Sequence, residues 1–399
     1  MNQHRQDIDK EPLPVTGAWR EGDDPGERHF LDITGGRPFP LEGGGLLEKA
    51  VLAYETWGRL NATASNAVLV CHALTGDSHA AGEGHPGHSG PGWWRELIGP
   101  GAALDTDRYF VVCANVLGGC QGSSGPASVE PVTGRPYGSR FPQVSIRDNV
   151  RAQARLASHL GITRWMAVVG GSMGGMQALE WAVTFPDRVG GLIAMATTAS
   201  ASAQQIAWSA AGRAAIQADA RWRGGDYYDA PAGEGPHEGL IAARMVGMIH
   251  YRSDEEFNRR FGRASVERLD RFTLDHRFDV ERYLRYQGEK LVRRFDANSY
   301  LILNKAMDLH DVGRRRGGNR RALSRISGPL LSVSVSSDFL YPRYQQMEIV
   351  DAVAESGCPV EHIDITSDNG HDGFLTETAQ VAPGVTDFLN RLEKDSEIT

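Results

Sequence analysis

The chain has 399 residues, of which 41% are hydrophobic and 23% are charged, and its formal net charge at pH 7 is −8. This length predicts one large domain with an insertion, or two domains. The negative charge offers no electrostatic attraction for nucleic acid or an anionic membrane surface, and no apolar run is long enough to span a membrane.

The N-terminus and the cysteines indicate a cytoplasmic protein. Residues 1–7 are polar and lack the apolar segment of a signal peptide. The four cysteines show neither the spacing of a metal site nor the density of a disulfide framework. We therefore expect reduced cysteines, no membrane and no nucleic-acid partner.

The first half of the chain alternates between strand and helix patterns. Residues 1–28 are polar and aperiodic, which predicts a disordered N-terminal tail. Apolar runs at residues 67–71 and 109–113 predict strands, and the first leads into the loop 72–76. Ser145 and Asp148 have the spacing of a capping box, which predicts a helix that ends near Leu160. This alternation is typical of a mainly parallel sheet covered on both faces.

The segment from residue 164 to 186 is the most informative pattern in the chain. An apolar run ends at Gly170-Gly171-Ser172-Met173-Gly174, and a helix-period stretch follows as far as Pro186. Strand, Gly-x-Ser-x-Gly and helix together form a nucleophile elbow, a tight turn that exposes the serine hydroxyl. The amide of Met173, at the start of the helix, would then face a developing oxyanion. The alternative is a chance glycine-rich turn, since the chain has 47 glycines, but the pattern occurs once and in the required context.

The pattern changes after residue 199. Helical periodicity dominates from about residue 200 to 323, and strands return at 329–335 and 360–365, followed by a C-terminal helix. These patterns predict an α/β core in two parts, residues 29–199 and 324–399, with a helical lid insertion at residues 200–323. Such an insertion would cover the carboxyl edge of the strands, where folds of this kind bind ligands.

The remaining catalytic groups follow from chain order, because α/β-hydrolases place an acid and then a histidine after the serine. Asp338 follows a predicted strand directly, and His371 follows the last strand by a short loop. The alternatives are a helix cap for Asp338 and an exposed loop residue for His371. The backbone amide of Leu74, after an early strand, is the predicted second oxyanion donor; the alternative is an ordinary loop.

Other motifs predict no cofactor site. Residues 82–87 match Gly-x-Gly-x-x-Gly, but Pro86 breaks the helix start that a dinucleotide site needs. His79, His85 and His88 could bind a metal, yet the sequence shows no cysteine or carboxylate frame near them, so we predict no metal. The run at residues 314–316 predicts a solvated basic face.

Together these segments resemble the homoserine O-acyltransferase family, a group with the α/β-hydrolase fold. The resemblance runs from about Phe39 to Leu392 and includes the elbow. Its other motifs are His-Ala-Leu-Thr-Gly-Asp-Ser-His (72–79), Gly-Pro-Gly-Trp-Trp (90–94), Asn-Val-Leu-Gly-Gly-Cys (115–120), Ser-Arg-Phe-Pro (139–142), Asp-Phe-Leu-Tyr-Pro (338–342) and Gly-His-Asp-Gly-Phe-Leu (370–375). The resemblance implies a ping-pong reaction in which Ser172 takes an acyl group from acyl-coenzyme A and the homoserine hydroxyl collects it.

The resemblance also implies how the amino acid is held. Arg244 matches an arginine that binds the substrate carboxylate in the family, and Asp372 matches the partner of the substrate ammonium. Tyr251 is expected to line the same pocket. Without the resemblance, a lid-surface salt bridge would be the preferred interpretation of Arg244. Family members pair through their lid helices, so we expect a homodimer. Ile216, Met245, Met248 and Ile249 are compatible with pairing or with burial in the chain's own core.

The acyl donor and the acceptor are less well defined by the sequence. The segment 84–99 is closest to the acetyl-using branch, so we expect acetyl-CoA as co-substrate, L-homoserine as acceptor and no permanently bound cofactor. A succinyl donor remains an alternative, because one of the many arginines could pair with its second carboxylate. A serine acceptor is another, since serine differs from homoserine by one methylene, worth only about 1–3 kcal/mol. A serine esterase or thioesterase of the same fold, and a non-catalytic binding protein, are further alternatives. A lid that excludes water would favour transfer over hydrolysis.

Overall fold

The computed structural model describes residues 12–265, 274 and 277–398, with side chains described as far as residue 394. Its centre is an eight-stranded sheet. The strands, in chain order, are β1 (His29–Asp32), β2 (Val51–Trp57), β3 (Ala67–Cys71), β4 (Phe110–Ala114), β5 (Trp165–Gly171), β6 (Val189–Met195), β7 (Leu330–Val335) and β8 (Val360–Ile365). Their spatial order is β1-β2-β4-β3-β5-β6-β7-β8.

The sheet is mainly parallel, as the sequence predicts. β1 pairs with β2 and β2 pairs with β4 in antiparallel fashion, and every other neighbouring pair is parallel. Two short ladders lie outside it, Phe39–Pro40 with Leu46–Leu47 and Ile98–Gly99 with Leu104–Asp105. All residues of β3 and β5 are buried, which places these central strands in the core on both faces.

Helices cover both faces of the sheet and extend beyond its carboxyl edge. They are α1 (Ile146–His159), α2 (Met173–Thr184), α3 (Ala203–Ala218), α4 (His237–Tyr251), α5 (Asp254–Arg260), α6 (Asp279–Val292), α7 (Ala297–Asp308), α8 (Asn319–Leu323), α9 (Arg343–Ala354), α10 (Gly373–Thr376) and α11 (Thr378–Ile398). One apolar cluster joins α1, α2 and α9 to the sheet, and a second joins α11 to the opposite face. No helix in the described part of the chain is long and apolar enough to cross a membrane.

The predicted capping box begins α1. The Ser145 hydroxyl accepts the Asp148 amide at 3.1 Å, and the Asp148 carboxylate accepts the Ser145 amide at 2.9 Å. The chain leaves the helix through Gly161, whose φ of +75° is readily adopted by glycine. The element that leads into the elbow therefore begins and ends where the sequence indicates.

Helices α3 to α8 lie between β6 and β7 in the chain, and the described residues of this segment form helices, loops and single-residue bridges. A third apolar cluster lies among them and includes Met173 and Met176 of α2. Ile216 belongs to this cluster and Met245 packs against it. Met248 is also buried, whereas Ile249 is 42% exposed on α4. The domain limits at residues 200 and 323 and the homodimer through this segment stay predictions.

Two expectations about charged and polar segments are wrong. The predicted tail over residues 1–28 does not apply to residues 12–28, because Gly17 N donates to Phe295 O at 3.1 Å and Trp19 N donates to Cys120 O at 2.9 Å. Main-chain hydrogen bonds hold this segment despite its few apolar side chains. Residues 1–11 lie outside the described residues.

The basic run at residues 314–316 is not a solvated face at Arg314 and Arg316, although Arg315 is exposed. Arg316 pairs with Glu180 of α2 at 2.6 Å, and Arg314 pairs with Glu42 at 2.8 Å. Arg147 of α1 contacts both carboxylates, at 2.7 and 2.6 Å respectively. Because Glu180 is buried, these arginines neutralise a charge that would otherwise destabilise the helix that follows the elbow.

Candidate active site

Ser172 occupies the turn between β5 and α2. Its φ of 57° and ψ of −124° lie outside the regions that L-residues usually adopt, and only 5% of the residue is exposed. A Cβ on Gly170 would lie 2.3 Å from the Gly174 main chain, and one on Gly174 would lie 2.1 Å from Cys71 O. The glycines of the motif therefore allow a close approach of backbone segments that no other residue permits.

Asp338 and His371 come together at the carboxyl ends of β7 and β8. Asp338 Oδ2 lies 2.7 Å from His371 Nδ1, and both side chains are buried. Asp338 Oδ1 accepts the amides of Leu340 and Tyr341, each at 2.9 Å. One oxygen thus caps the following turn while the other binds the histidine. Asp338 is therefore both the cap that the sequence allowed and a partner of His371. An Nδ1–H bound to the carboxylate leaves Nε2 of His371 available as a base.

Most of the predicted site residues line one cavity of about 220 Å³. Its walls include Leu74, Ser172, Arg244, Tyr251, His371 and Asp372. Asp338 lies behind His371, and Met173 begins the helix beneath the cavity. The volume is below the roughly 300–1,000 Å³ of pockets for drug-sized ligands, so it fits a small metabolite.

The backbone amides of Leu74 and Met173 are available as donors. Neither amide has a hydrogen-bond acceptor among the described residues. The peptide between Ala73 and Leu74 is held from its carbonyl side, because Ala73 O lies 2.8 Å from His72 Nδ1 and accepts Gly76 N at 3.0 Å. The Val116 amide donates to His72 Nε2 at 3.1 Å, which leaves the ring proton on Nδ1. Burial lowers the pKa of His72, so the ring stays neutral.

Arg244, on α4, has no carboxylate partner among the described residues, and its buried Nε has no hydrogen-bond acceptor there. Its guanidinium carbon lies 5.3 Å from the centre of the Tyr251 ring, a cation–π distance. Burial raises the pKa of Tyr251, and the charge of Arg244 opposes this rise. The lid-surface salt bridge that the sequence allowed for Arg244 is therefore not observed.

Asp372 lines the cavity but already has a cationic partner. Arg252 contacts its Oδ2 at 3.2 Å and also contacts Glu256 at 3.2 Å. A substrate ammonium at Asp372 would share the carboxylate with Arg252, which divides its own charge between two acids. No sequence pattern indicates this pair.

Among the cavity residues absent from the sequence-based set are the titratable side chains of His250, Arg294 and Tyr341. Burial, with the charges of His371 and Arg244, lowers the pKa of His250 to about 3, so its ring is neutral at physiological pH. Burial raises the pKa of Tyr341, and the hydroxyl of Ser172 beside its phenol opposes the rise. The motif around Asp338 contains Tyr341 and could have drawn attention to it; His250 and Arg294 have no such signal.

The loop histidines have a carboxylate neighbour that the sequence did not reveal. Glu55 of β2 accepts from the Ser78 hydroxyl at 2.7 Å and lies 2.8 Å from His79 Nδ1. The rings of His79 and His88 stack at 3.8 Å with an angle of 11°, whereas His85 meets His88 edge-on. One ligand atom each of Glu55, His79 and His88 lies within 4.8 Å of the others, so this group has donors that could hold a metal ion. The predicted absence of a metal therefore stays a prediction.

The serine turn between β5 and α2, the acid after β7 and the histidine after β8 follow the chain order of α/β-hydrolases. Residues 66–378 match the family model for the alpha/beta hydrolase fold, and the chain belongs to that family.

Within this fold the chain is a member of the homoserine O-acetyltransferase family and is an acyltransferase. It is 55% identical over 378 residues to the homoserine O-acetyltransferase of Thermobifida fusca (strain YX), covering 95% of this chain and 98% of that protein. The crystal structure of homoserine O-acetyltransferase from Bacillus anthracis superposes with a TM-score of 0.85 at 30% identity, over 92% of this chain and 98% of that one. Esterase E22 superposes with a TM-score of 0.84 at 28% identity, over 91% of this chain and 100% of that one.

Proposed function

We propose that the protein transfers an acetyl group from acetyl-CoA to the side-chain hydroxyl of L-homoserine, giving O-acetyl-L-homoserine and CoA. This is a reaction of methionine biosynthesis in the cytoplasm. The observation that carries the proposal is a cavity that holds Ser172 and His371 together with Arg244, a partly buried cation without a carboxylate partner among the described residues. A site of this kind suits an acceptor that has both a hydroxyl and a carboxylate.

In the first half-reaction, Ser172 Oγ attacks the thioester carbonyl and His371 Nε2 takes the serine proton. The negative charge on the carbonyl oxygen would be held by the amides of Leu74 and Met173. Asp338 keeps its negative charge and stabilises the imidazolium. The tetrahedral intermediate collapses to acetyl-Ser172, and His371 returns the proton to the departing CoA thiolate.

In the second half-reaction, the homoserine hydroxyl replaces CoA and His371 takes its proton. The new oxygen–carbon bond forms as the bond to Ser172 Oγ breaks, and the proton passes from His371 to the serine. Arg244 would bind the carboxylate and Asp372 the ammonium, with Tyr251 packed against Arg244. Fixing the acceptor hydroxyl beside acetyl-Ser172 gives it the advantage of orientation over water.

Hydrolysis is the second candidate, because esterase E22 has a very similar structure. The same serine, histidine and acid would release acetate if water reached acetyl-Ser172 before the amino acid. A succinyl donor in place of acetyl is the other alternative. Both are separated from the main proposal by their substrates.

The deciding experiment measures free-thiol release from acetyl-CoA and from succinyl-CoA, each with no acceptor, with L-homoserine or with L-serine. We expect sustained release only with acetyl-CoA and L-homoserine together, and a single burst without acceptor as acetyl-Ser172 accumulates. The Ser172→Ala variant should give neither the burst nor turnover. Equal turnover without an amino acid would establish the hydrolase instead, and preference for succinyl-CoA would replace the donor.

A further inference from the structure

Two arginines and two aspartates line the catalytic cavity, and of these four residues only the aspartates form ion pairs with described residues. Arg244 and Arg294 both line it, and neither forms an ion pair with a carboxylate in the part of the chain that the structure describes. The two carboxylates in its wall are already paired: Asp308 lies 2.7 Å from Arg213, and Asp372 lies 3.2 Å from Arg252. The two guanidinium groups of the wall therefore have no carboxylate within ion-pair distance in the described part of the chain.

Arg294 lies between α6 and α7 and is held by its backbone and by one side-chain contact. Its backbone carbonyl accepts a hydrogen bond from the side-chain Nε2 of Gln121 at 2.7 Å, and its Nη1 donates to Thr75 O at 2.6 Å. Its guanidinium has no other hydrogen-bond partner among the described residues. Because Thr75 follows Leu74 in the chain, the N–H groups of the Arg294 guanidinium lie next to the proposed oxyanion loop.

The two arginines are near neighbours. Burial lowers the pKa of Arg294 and the charge of Arg244 lowers it further, whereas the more weakly acting charge of Asp77 opposes the shift. Two adjacent, partly buried cations repel one another and have lost part of their hydration, and a bound anion relieves both costs. A single carboxylate can accept hydrogen bonds from two guanidinium groups, since its two oxygens offer about four lone-pair sites.

We propose that Arg294 and Arg244 together form a two-arginine site for the α-carboxylate of the acceptor amino acid. Arg294 is then a second residue that selects the acceptor, and it links the bound carboxylate to the loop that carries Leu74. This inference rests on the proposed function, because it assumes an amino-acid acceptor. A carboxylate at the far end of the acyl group would be a different ligand, and its binding to Arg294 is an outcome of the test.

The test compares L-homoserine with its carboxamide, in which the carboxylate is replaced by a neutral amide, as acceptors for Arg294→Gln and the wild-type enzyme. We expect Arg294→Gln to lower kcat/KM for L-homoserine by about 10- to 100-fold, the range of a hydrogen bond to a charged group. Its kcat/KM for the carboxamide should stay within about twofold of wild type. The burst of CoA from acetyl-CoA without acceptor should be unchanged.

Two controls separate the possible results. Arg325→Gln removes an exposed arginine from the same chain and should change neither acceptor. Arg294→Lys keeps the charge and a donor for Thr75 O, so it should give a smaller loss confined to L-homoserine. If Arg294→Gln does not fold, the same comparison is made with Arg294→Lys.

Equal losses with both acceptors would mean that Arg294 only supports the loop, and the inference would be overturned. A loss of the burst, or a change in the ratio of acetyl-CoA to succinyl-CoA use, would assign Arg294 to the donor and also overturn it. A wild-type enzyme that makes no acetylated homoserine would refute the proposed function itself, which is a separate result.

Discussion

His72 shows how one buried side chain can control a backbone group in the proposed site. Its Nε2 accepts a hydrogen bond from the Val116 amide at 3.1 Å. Its Nδ1 lies 2.8 Å from Ala73 O on the other side of the ring. Ala73 O belongs to the same peptide group as the amide of Leu74. A hydrogen bond to that carbonyl fixes the plane of the peptide and hence the direction of the Leu74 N–H. His72 is thus a positioning residue for the oxyanion donor.

Two substitutions of His72 separate positioning from simple stabilisation. Asparagine can present its amide N–H near the place of Nδ1, whereas glutamine can present its amide oxygen near the place of Nε2. Each variant loses one of the two hydrogen bonds, so we expect similar losses of thermal stability. We expect His72→Gln to lower kcat by about 10- to 100-fold, less than the 10²–10³ of a deleted oxyanion donor, and His72→Asn to stay within about threefold.

Steady-state kinetics and thermal denaturation of both variants check this expectation, with His159→Asn as the control at an exposed site. Equal kcat values for His72→Gln and His72→Asn would show that the ring acts only through stability.

Chain order determines where the site residues that the sequence predicted lie, whereas helix packing determines where the missed residues lie. Ser172, Asp338 and His371 each follow a strand directly or by a short loop, so chain order alone predicts that they meet at one edge of the sheet. His250 and Arg294 lie on or beside lid helices, and their approach to the cavity depends on how those helices pack. Nothing in local periodicity encodes that packing. Arg244 was identified only through the family resemblance.

At the scale of elements, the elbow is a place where the backbone at the start of α2 comes very close to the backbone at the end of β3. A Cβ on Gly174 would lie 2.1 Å from Cys71 O, and neither main chain can move without disturbing β3, β5 or α2. We expect Gly174→Ala to destabilise the fold by at least about 3 kcal/mol, the upper part of the range for overpacking, and to abolish acyl transfer. Urea denaturation measures the free energy of unfolding.

Gly90→Ala is the matched control for this substitution. A Cβ at Gly90 meets no atom within 4 Å, and its backbone is not in the left-handed region. It should change the free energy of unfolding by less than about 1 kcal/mol. A Gly174→Ala protein as stable as Gly90→Ala would show that the backbones at the elbow can separate.

The elements that the sequence predicted well carry strong local signals, and those it missed lack them. The apolar runs of β3 and β5 and the capping box of α1 are complete within a few residues. The sequence does not predict β2, because a charged residue, Glu55, interrupts its apolar pattern. Glu55 is buried only because Ser78 and His79 from a distant loop bind it. Residues 12–28 lack an apolar pattern for a related reason, since main-chain hydrogen bonds to other loops hold them.

Across the whole molecule, buried histidines make stability depend on pH. His310 is buried at the end of α7, with Nε2 3.0 Å from Thr198 O. Burial lowers its pKa to about 4, although Glu180 and Asp311 favour the charged form, and Arg314 opposes it. Burial likewise lowers the pKa of His250 to about 3. Both groups are neutral in the folded protein over a range in which the unfolded chain is protonated.

The sign of the effect follows from proton uptake. Below about pH 6.5 the unfolded chain binds protons at these two histidines and the folded protein does not, so stability falls as the pH falls toward about 4 for His310 and about 3 for His250. His79 acts in the opposite sense. Burial, the largest single effect, lowers its pKa, but the hydrogen bond and charge of Glu55, with Glu83 O and Asp77, together outweigh it and raise the pKa. Its contribution is complete below about pH 6.5 and is lost as the pH rises through its folded-state pKa, so it does not compensate the acid loss.

We therefore expect the free energy of unfolding to decrease from pH 7 to about pH 5, with His310 contributing on the order of 2 kcal/mol of the decrease. His310→Gln keeps a donor for Thr198 O but cannot be protonated, so its decrease over the same interval should be smaller by about that amount. Urea denaturation at both pH values measures the two decreases, and His159→Gln, at an exposed site on α1, serves as the matched control. A decrease in His310→Gln as large as in the wild-type protein would mean that the acid sensitivity arises at other groups, because the removed imidazole would then have taken up no proton on unfolding.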